Sequence, residues 1–308
     1  MTFDTSLVDL HPSPSFAAVN TSFSTTESDP TSDFTPSHQQ PSSATTKPST
    51  PVHHIPTQHA YDQWASVYDT DGNMLQAIDD LELQTLLPTF LAWITSTNNS
   101  ANLSVLDLGC GTGRNTLKLV SYPWPRQHGV VNITGLDFSQ PMLEVAAKKL
   151  APIAKASGSL LRLQCCECFP TTSSPLVSPL PAVDGLNKQD AVVSTLVLEH
   201  IPLSAFFSTL SSLLVLRGCA LVSNMHADMG RRSQAGFVNA DGVKVRGSSY
   251  VYTVQESLHA AVEAGFEVVS VHEREMRRED VESGMVGERG RKWIGTKVWY
   301  AVVLRMVS

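Results

Sequence analysis

The chain has 308 residues, enough for one large domain or two small ones, and 42% hydrophobic with 17% charged residues is the composition of a globular protein. A formal net charge of −7 argues against a nucleic-acid surface, because phosphate binding needs Lys and Arg, so no nucleic-acid partner is expected. No run of about 18 apolar residues marks a membrane span, and five cysteines, three of them in CCEC, do not read as a secreted disulfide framework, so a cytoplasmic location is expected.

Residues 1–58 are rich in Ser, Thr and Pro, as in SFSTTESDPTSDFTPSHQQPSSATTKPSTP. Such a segment buries too little apolar surface to offset its ordering entropy and is expected to be disordered, either a solvated tail or one that is phosphorylated or binds a partner. It lacks the basic start and apolar core of a secretory signal. It is a poor transit peptide as well, since Lys47 is its only basic residue besides the histidines.

From residue 59 to 308 helical and strand patterns alternate, the signature of an α/β domain with a mainly parallel sheet. Residues 75–94 have helical apolar spacing, with Pro88 kinking or splitting the run. The first strand is predicted at Ser104–Leu108, a helix from near Asn115, and a second strand over 131–138. Ser139 is suited to cap the next helix, with Pro141 in its first turn and Met142, Leu143, Ala146, Ala147 and Leu150 on one face. LLRLQCC follows as a third strand, then a Pro/Ser-rich loop at 170–188. DAVVSTLVL (190–198) reads as a buried strand, LSAFFSTLSSLLVL as a helix, and CALVSNMH as a fifth strand. A small hairpin is expected around NADG. Thr253 and Glu256 form a capping box for a helix that Gly265 ends. FEVVSVHE and KVWYAVVLRM complete seven strands, joined by a charged stretch too long for a tight hairpin.

VLDLGCGTGRN, then GLDFSQPMLEVA, then DAVVSTLVLEHI follow one another in this order. On these motifs the chain resembles the class I S-adenosylmethionine-dependent methyltransferases over roughly 61–305, and within them the ubiquinone/menaquinone-biosynthesis group and related small-molecule enzymes. The resemblance implies a Rossmann-like, seven-stranded, mostly parallel sheet with helices on both faces and an antiparallel last strand. It implies S-adenosylmethionine as cofactor and a small-molecule methyl acceptor. A cofactor-binding regulatory protein with little catalysis is the alternative.

The glycine loop itself argues against a dinucleotide. Gly109, Gly111 and Gly113 are two apart, and Arg114 stands where a third fingerprint glycine would be. Asp107 ahead of them would repel a pyrophosphate, but suits a ligand carrying an ammonium and a sulfonium. By resemblance Asp107 lies near the amino-acid end of the cofactor, while Gly109, Cys110, Gly111 and Gly113 let the backbone pass the adenosyl group. Asp137, ending the second strand, is by resemblance the ribose-binding acid, and Phe138 and Met142 either flank the adenine or pack in the core. Where the family usually has an aspartate for the adenine amine, this chain has Cys166 or Glu167, of which Glu167 is the better acceptor. YDQWASVYD resembles the family's lid, expected over 61–94, with Tyr61, Trp64 and Tyr68 on one helical face either closing over the cofactor or packing on the sheet. The CCEC sulfurs alternate in direction on a strand and have no second pair, so no metal is expected.

Glu199 and His200 follow the fourth strand, where ligand crevices form. His200 is the candidate general base; otherwise the pair organises the loop beneath the cofactor. Residues 226–253 are expected to roof the acceptor, with His226, Arg231, Tyr250 and Tyr252 as lining residues, and Arg231 or Arg232 suited to an anionic group.

Overall fold

A computed structural model describes residues 52–308 apart from 99, 101, 158, 171–178 and 240. The expected disordered tail falls outside this range up to residue 51. Residues 52–58, expected to belong to it, are instead structured: β1 (Val52–His54) precedes α1 (Thr57–Trp64).

There follow α2 (Met74–Thr97), β2 (Ser104–Leu108), α3 (Arg114–Ser121), β3 (Asn132–Asp137), α4 (Gln140–Ser157) and β4 (Leu160–Cys165). The second half comprises β5 (Gln189–Thr195), α5 (Leu203–Leu213), β6 (Leu214–Met225), α6 (Ala227–Gly230), β7 (Phe237–Val238) and β8 (Lys244–Arg246). Last come α7 (Val254–Glu263), β9 (Phe266–Glu275), α8 (Arg278–Glu282) and β10 (Lys297–Met306). No described helix is long and apolar enough to cross a membrane.

The main sheet runs β4-β3-β2-β5-β6-β10-β9, with β10 antiparallel to both its neighbours and the pairs from β4 to β6 parallel. Alternate strand residues face opposite layers. Val105, Ile133, Val193 and Leu221 meet Ile78, Leu87, Phe90 and Leu91 of α2 on one face. Leu106, Leu136, Val192 and Val222 meet Phe206, Phe207 and Leu210 of α5 on the other. Helices therefore cover both faces, as the family resemblance implied.

Two expectations change. Pro88 does not split α2, because Pro88 and Gln84, whose carbonyl the missing N–H would have met, both lie on the exposed face. A solvent-facing carbonyl is satisfied by water, while the buried stripe on the other side holds the helix together. The helix predicted through 203–216 stops at Leu213, since Leu214 already pairs with Gln189 in the sheet.

A second, three-stranded sheet runs β1-β8-β7. The hairpin expected around NADG is its β7–β8 pair, and β1 adds to it in parallel. This sheet carries the roof segment and the start of α1 together. Trp64 of α1 stacks on Phe237 of β7 with ring centroids 5.3 Å apart.

Candidate active site

The strand order reverses between β2 and β5, and crevices in open parallel sheets form at the carboxyl ends of strands at such a point. Two adjoining chambers lie there, of about 210 Å³ and 780 Å³, with Tyr61, Tyr68 and Leu196 bordering both.

The smaller chamber is built on the glycine loop. The N–H groups of Gly109 and Cys110 both donate to the Leu136 carbonyl, at 2.8 and 2.9 Å, which folds the loop back over β3. Gly109 has φ 77°, and a Cβ there would sit 2.5 Å from Val197 Cγ2; a Cβ on Gly111 would project into open space. Asp137, at the end of β3, lines the chamber. Its Oδ2 accepts the Gly111 N–H at 2.8 Å and its Oδ1 the Ser139 N–H at 2.9 Å, and burial still pushes its carboxyl up to about 6. Phe138, Cys168 and Phe169 form apolar walls, and Phe169 is braced by stacking on Phe206 at 5.2 Å. Glu167 lines this chamber and Cys166 does not.

The larger chamber holds Glu199, in the short turn Leu198–His200 after β5. The residue is 2% exposed, and its Oε2 has no hydrogen-bond partner among the described residues. Burial pushes its carboxyl up to about 8. Oε1 lies 3.4 Å from His200 Nε2. The His200 Nδ1 is 2.7 Å from the Ser248 carbonyl, which only accepts, so Nδ1 carries the hydrogen and Nε2 accepts the Tyr61 hydroxyl at 2.8 Å. Burial also pushes the His200 pKa down, so the two neighbours are a neutral pair and not an ion pair. Both His200 nitrogens are thus engaged within the chain, while the atom without a partner among the described residues belongs to Glu199.

Other predicted site residues lie elsewhere. Asp107 is buried beneath the loop, where its Oδ2 accepts the Thr116 hydroxyl at 2.6 Å; burial pushes its carboxyl up to about 6. Arg114 is turned toward α2, 2.5 Å from Asp79 and 2.9 Å from Asp80. The Cys110 side chain is buried against Gly135, and Gly113 lets α3 approach Ala146 and Leu150 of α4. Met142 is fully buried in a small cluster with Trp64 and Phe237. None of these five lines either chamber. Tyr61 and Trp64 belong to α1, but the helix ends at Trp64, so Tyr68 reaches the site from the following turn and not from the same helical face. Trp64 borders only the larger chamber.

The roof residues also require correction. His226 accepts the Asp228 N–H and bonds Glu273 at 3.0 Å, and Arg231 pairs with Asp228 on the surface. Arg232 lies 5.0 Å from the Trp293 ring, outside the chamber. Tyr250 stacks on Tyr252, whose hydroxyl donates to the Ile201 carbonyl. None of these side chains lines a chamber; the roof contributes Ser233, Gln234 and Lys244 instead.

Sequence reasoning missed Arg289, Lys292 and Trp293, which reach the larger chamber from the charged stretch before β10. It also missed Leu196, whose φ of 57° is strained for a bulky residue and places it between the two chambers.

Residues 106–220 match the family model of a methyltransferase domain. An uncharacterized methyltransferase of Emericella nidulans is 41% identical over 267 residues, covering 82% of this chain and 91% of that protein. The chain belongs to the class I S-adenosylmethionine-dependent methyltransferases. Among solved structures, a geranyl diphosphate C-methyltransferase of Streptomyces coelicolor shares the fold at TM-score 0.50 and 13% identity, over 73% of this chain and 77% of that one.

The smaller chamber of the methyltransferase fits the family's cofactor chemically. Each Asp137 oxygen accepts one N–H and keeps a lone pair for a sugar hydroxyl. Among the described residues no Lys or Arg lines this chamber.

Proposed function

We propose that this methyltransferase methylates a small-molecule acceptor held in the larger chamber, with the cofactor in the smaller one and Glu199 taking the acceptor's proton. Bound there, S-adenosylmethionine supplies a methyl carbon already activated by a positive sulfur. The protein's task is then to align the acceptor and remove a proton.

Asp137 holds the ribose hydroxyls, and the Gly109 and Gly111 backbone borders the adenosyl group. Phe138 and Phe169 flank the adenine. Glu167 accepts from its amine, because the Phe169 N–H occupies only Oε1. Tyr61 and Tyr68 stand between cofactor and acceptor, and His200 fixes the direction of the Tyr61 hydroxyl.

The observation that carries this reading is the unpartnered, buried Glu199 carboxyl facing the larger chamber, 3.4 Å from a residue that lines the smaller one. A buried carboxyl left without a partner costs stability, which a ligand donor repays.

Calorimetry with S-adenosylhomocysteine is expected to show binding that Asp137→Ala weakens by about 10- to 100-fold, the worth of charge-assisted hydrogen bonds. Methyl transfer is read as S-adenosylhomocysteine release across a small-molecule acceptor panel. Absence of binding to the wild-type protein overturns the proposal. Binding without turnover of any acceptor fits the regulatory alternative instead.

A further inference from the structure

The larger chamber is chemically polarised, and this bears on what it accepts. Its inner walls are apolar and aromatic, with Trp64, Leu196, Met225, Met229 and Trp293 around the Glu199 carboxyl. Its outer part carries Lys244 from the roof hairpin, and Arg289 and Lys292 from the turn Glu288–Trp293. These two segments are distant in sequence and both border this chamber.

The cations are not neutralised there. Among the described residues none of Lys244, Arg289 and Lys292 forms a salt bridge. Besides Glu199, two carboxylates border the same chamber; both are hydrogen-bonded within the chain, and Asp71 also lies near enough to Arg289 for their charges to attract. Glu288 is held by Arg291 through bonds of 2.8 and 3.0 Å. Asp71 accepts the Trp64 indole N–H at 2.8 Å and the Asn73 N–H at 2.9 Å. The Lys244 ammonium is pushed down by burial and by Arg246, Lys292 and Arg289 nearby, which shows how closely the positive charges are gathered. In a chain of net charge −7, three cations without a salt bridge against one nearby aspartate on one chamber are a local feature with a recognition consequence.

We propose that the acceptor carries an oxyanion, a carboxylate or a phosphate, on an apolar or aromatic body, with the oxyanion held by Lys244, Arg289 and Lys292 and the body directed toward Glu199. This rests on the reading of the larger chamber as the acceptor site. Such a layout also fixes orientation: an amphipathic acceptor inserted with its anion outward presents its other end to the cofactor.

The test uses the full-length protein saturated with S-adenosylhomocysteine and two fluorescent probes of similar shape, anionic anilinonaphthalene sulfonate and neutral N-phenylnaphthylamine. The variant Lys244→Gln/Arg289→Gln/Lys292→Gln is expected to weaken the anionic probe at least ~10-fold, as loss of charge-assisted contacts requires, and to leave the neutral probe unchanged. Lys244→Arg/Lys292→Arg is expected to retain the anionic probe, which separates charge from misfolding. Displacement of the probe by phenylacetate or by phenyl phosphate assigns the carboxylate or the phosphate. Equal loss of both probes, no loss of either, or displacement by benzyl alcohol as effective as by both anions overturns the proposal. A separate calorimetric titration keeps the two readings apart. Probe binding that follows the charges while S-adenosylhomocysteine fails to bind removes the transferase reading and leaves the anion site standing.

Discussion

Glu199 and Arg114 show how differently two site-adjacent charges are used. Glu199 is buried without a full set of partners, and burial pushes its carboxyl up to about 8. A base of that kind is inactive while protonated, so kcat/KM is expected to rise with pH through about 8 in the free enzyme. Glu199→Gln is expected to lower kcat by about 10²–10⁴-fold, the usual worth of a positioned base, without weakening S-adenosylhomocysteine. A pH–rate profile that keeps its shape in this variant would remove Glu199 from the chemistry. Arg114 is instead structural. Asp79 is fully buried and receives Arg114 Nη2 at 2.5 Å, Ser223 Oγ at 2.5 Å and Trp299 Nε1 at 2.7 Å, so one carboxylate joins α2, α3, β6 and β10. Arg114→Met leaves that carboxylate short of its cation and is expected to cost about 3 kcal/mol, the lower end for a broken buried pair because two donors remain. Urea unfolding measures the loss. A large drop in S-adenosylhomocysteine affinity with unchanged stability would return Arg114 to the cofactor.

At the scale of elements, α1 and the turn after it form a latch over the smaller chamber. Gln58 donates to the Phe138 carbonyl at 2.8 Å, Ser139 to Asp62 at 2.6 Å, and Thr112 in the glycine loop to Asp69 at 2.6 Å. Asp69 also pairs with Lys149 at 2.7 Å. Thr57, Tyr61 and Tyr68 wall the chamber, so lifting of this segment is expected to speed the release of a ligand. Asp69→Ala removes two of the ties and is expected to speed S-adenosylhomocysteine release by roughly 5- to 30-fold, equivalent to about 1–2 kcal/mol. Stopped-flow dissociation with an unchanged rate would show that the segment does not gate the chamber. The lid's aromatic pattern was legible in YDQWASVYD, and so was the succession of strands and helices, because local periodicity and caps report them. Its support was not. VHH at 52–54 is too short and too polar to announce a strand, and it becomes one only because β8 is there to pair with it. The same limit hid the placement of β10 between β6 and β9, and it hid Arg289 and Trp293, whose segment reads as a charged connector until the fold brings it to α1. Motif residues such as Asp137 and Gly111 were legible because one local turn positions them. Asp107, Cys110 and Gly113 carried equally strong signals, yet build the loop from behind, and Met142 packs with Trp64 and Phe237; sequence alone does not separate a wall from its support.

For the whole molecule, the site has a cost that depends on pH. Asp107, Asp137 and Glu199 cluster at the carboxyl ends of β2, β3 and β5, and burial raises all three, to about 6, 6 and 8. A carboxyl whose folded pKa lies above its unfolded value binds more protons in the native state, so stability falls as pH rises between the two values. Its contribution is complete below the unfolded pKa and is lost through the folded one. The two aspartates therefore act between about 3.8 and 6, and Glu199 between about 4.5 and 8. Asp80 and Glu273 have lowered pKa values, through Arg114 and Lys118 for the first and Lys297 and His226 for the second. They act in the opposite sense, losing stability as pH falls. His200, lowered by burial, also loses stability as pH falls below its ordinary range. The bare melting curve thus mixes both signs, and a single substitution is needed to separate them. Glu199→Gln keeps the shape of the protonated carboxyl and cannot ionise. Its melting temperature should match the wild type near pH 4.5, exceed it increasingly up to about pH 8 and keep a constant margin above that, by ~2–4 °C for each kcal/mol recovered. A constant difference across that range would mean that Glu199 does not titrate upward in the folded chain. The pH at which the two curves stop diverging reports its folded pKa in the ligand-free protein, and hence the pH above which the base is ready before any ligand binds.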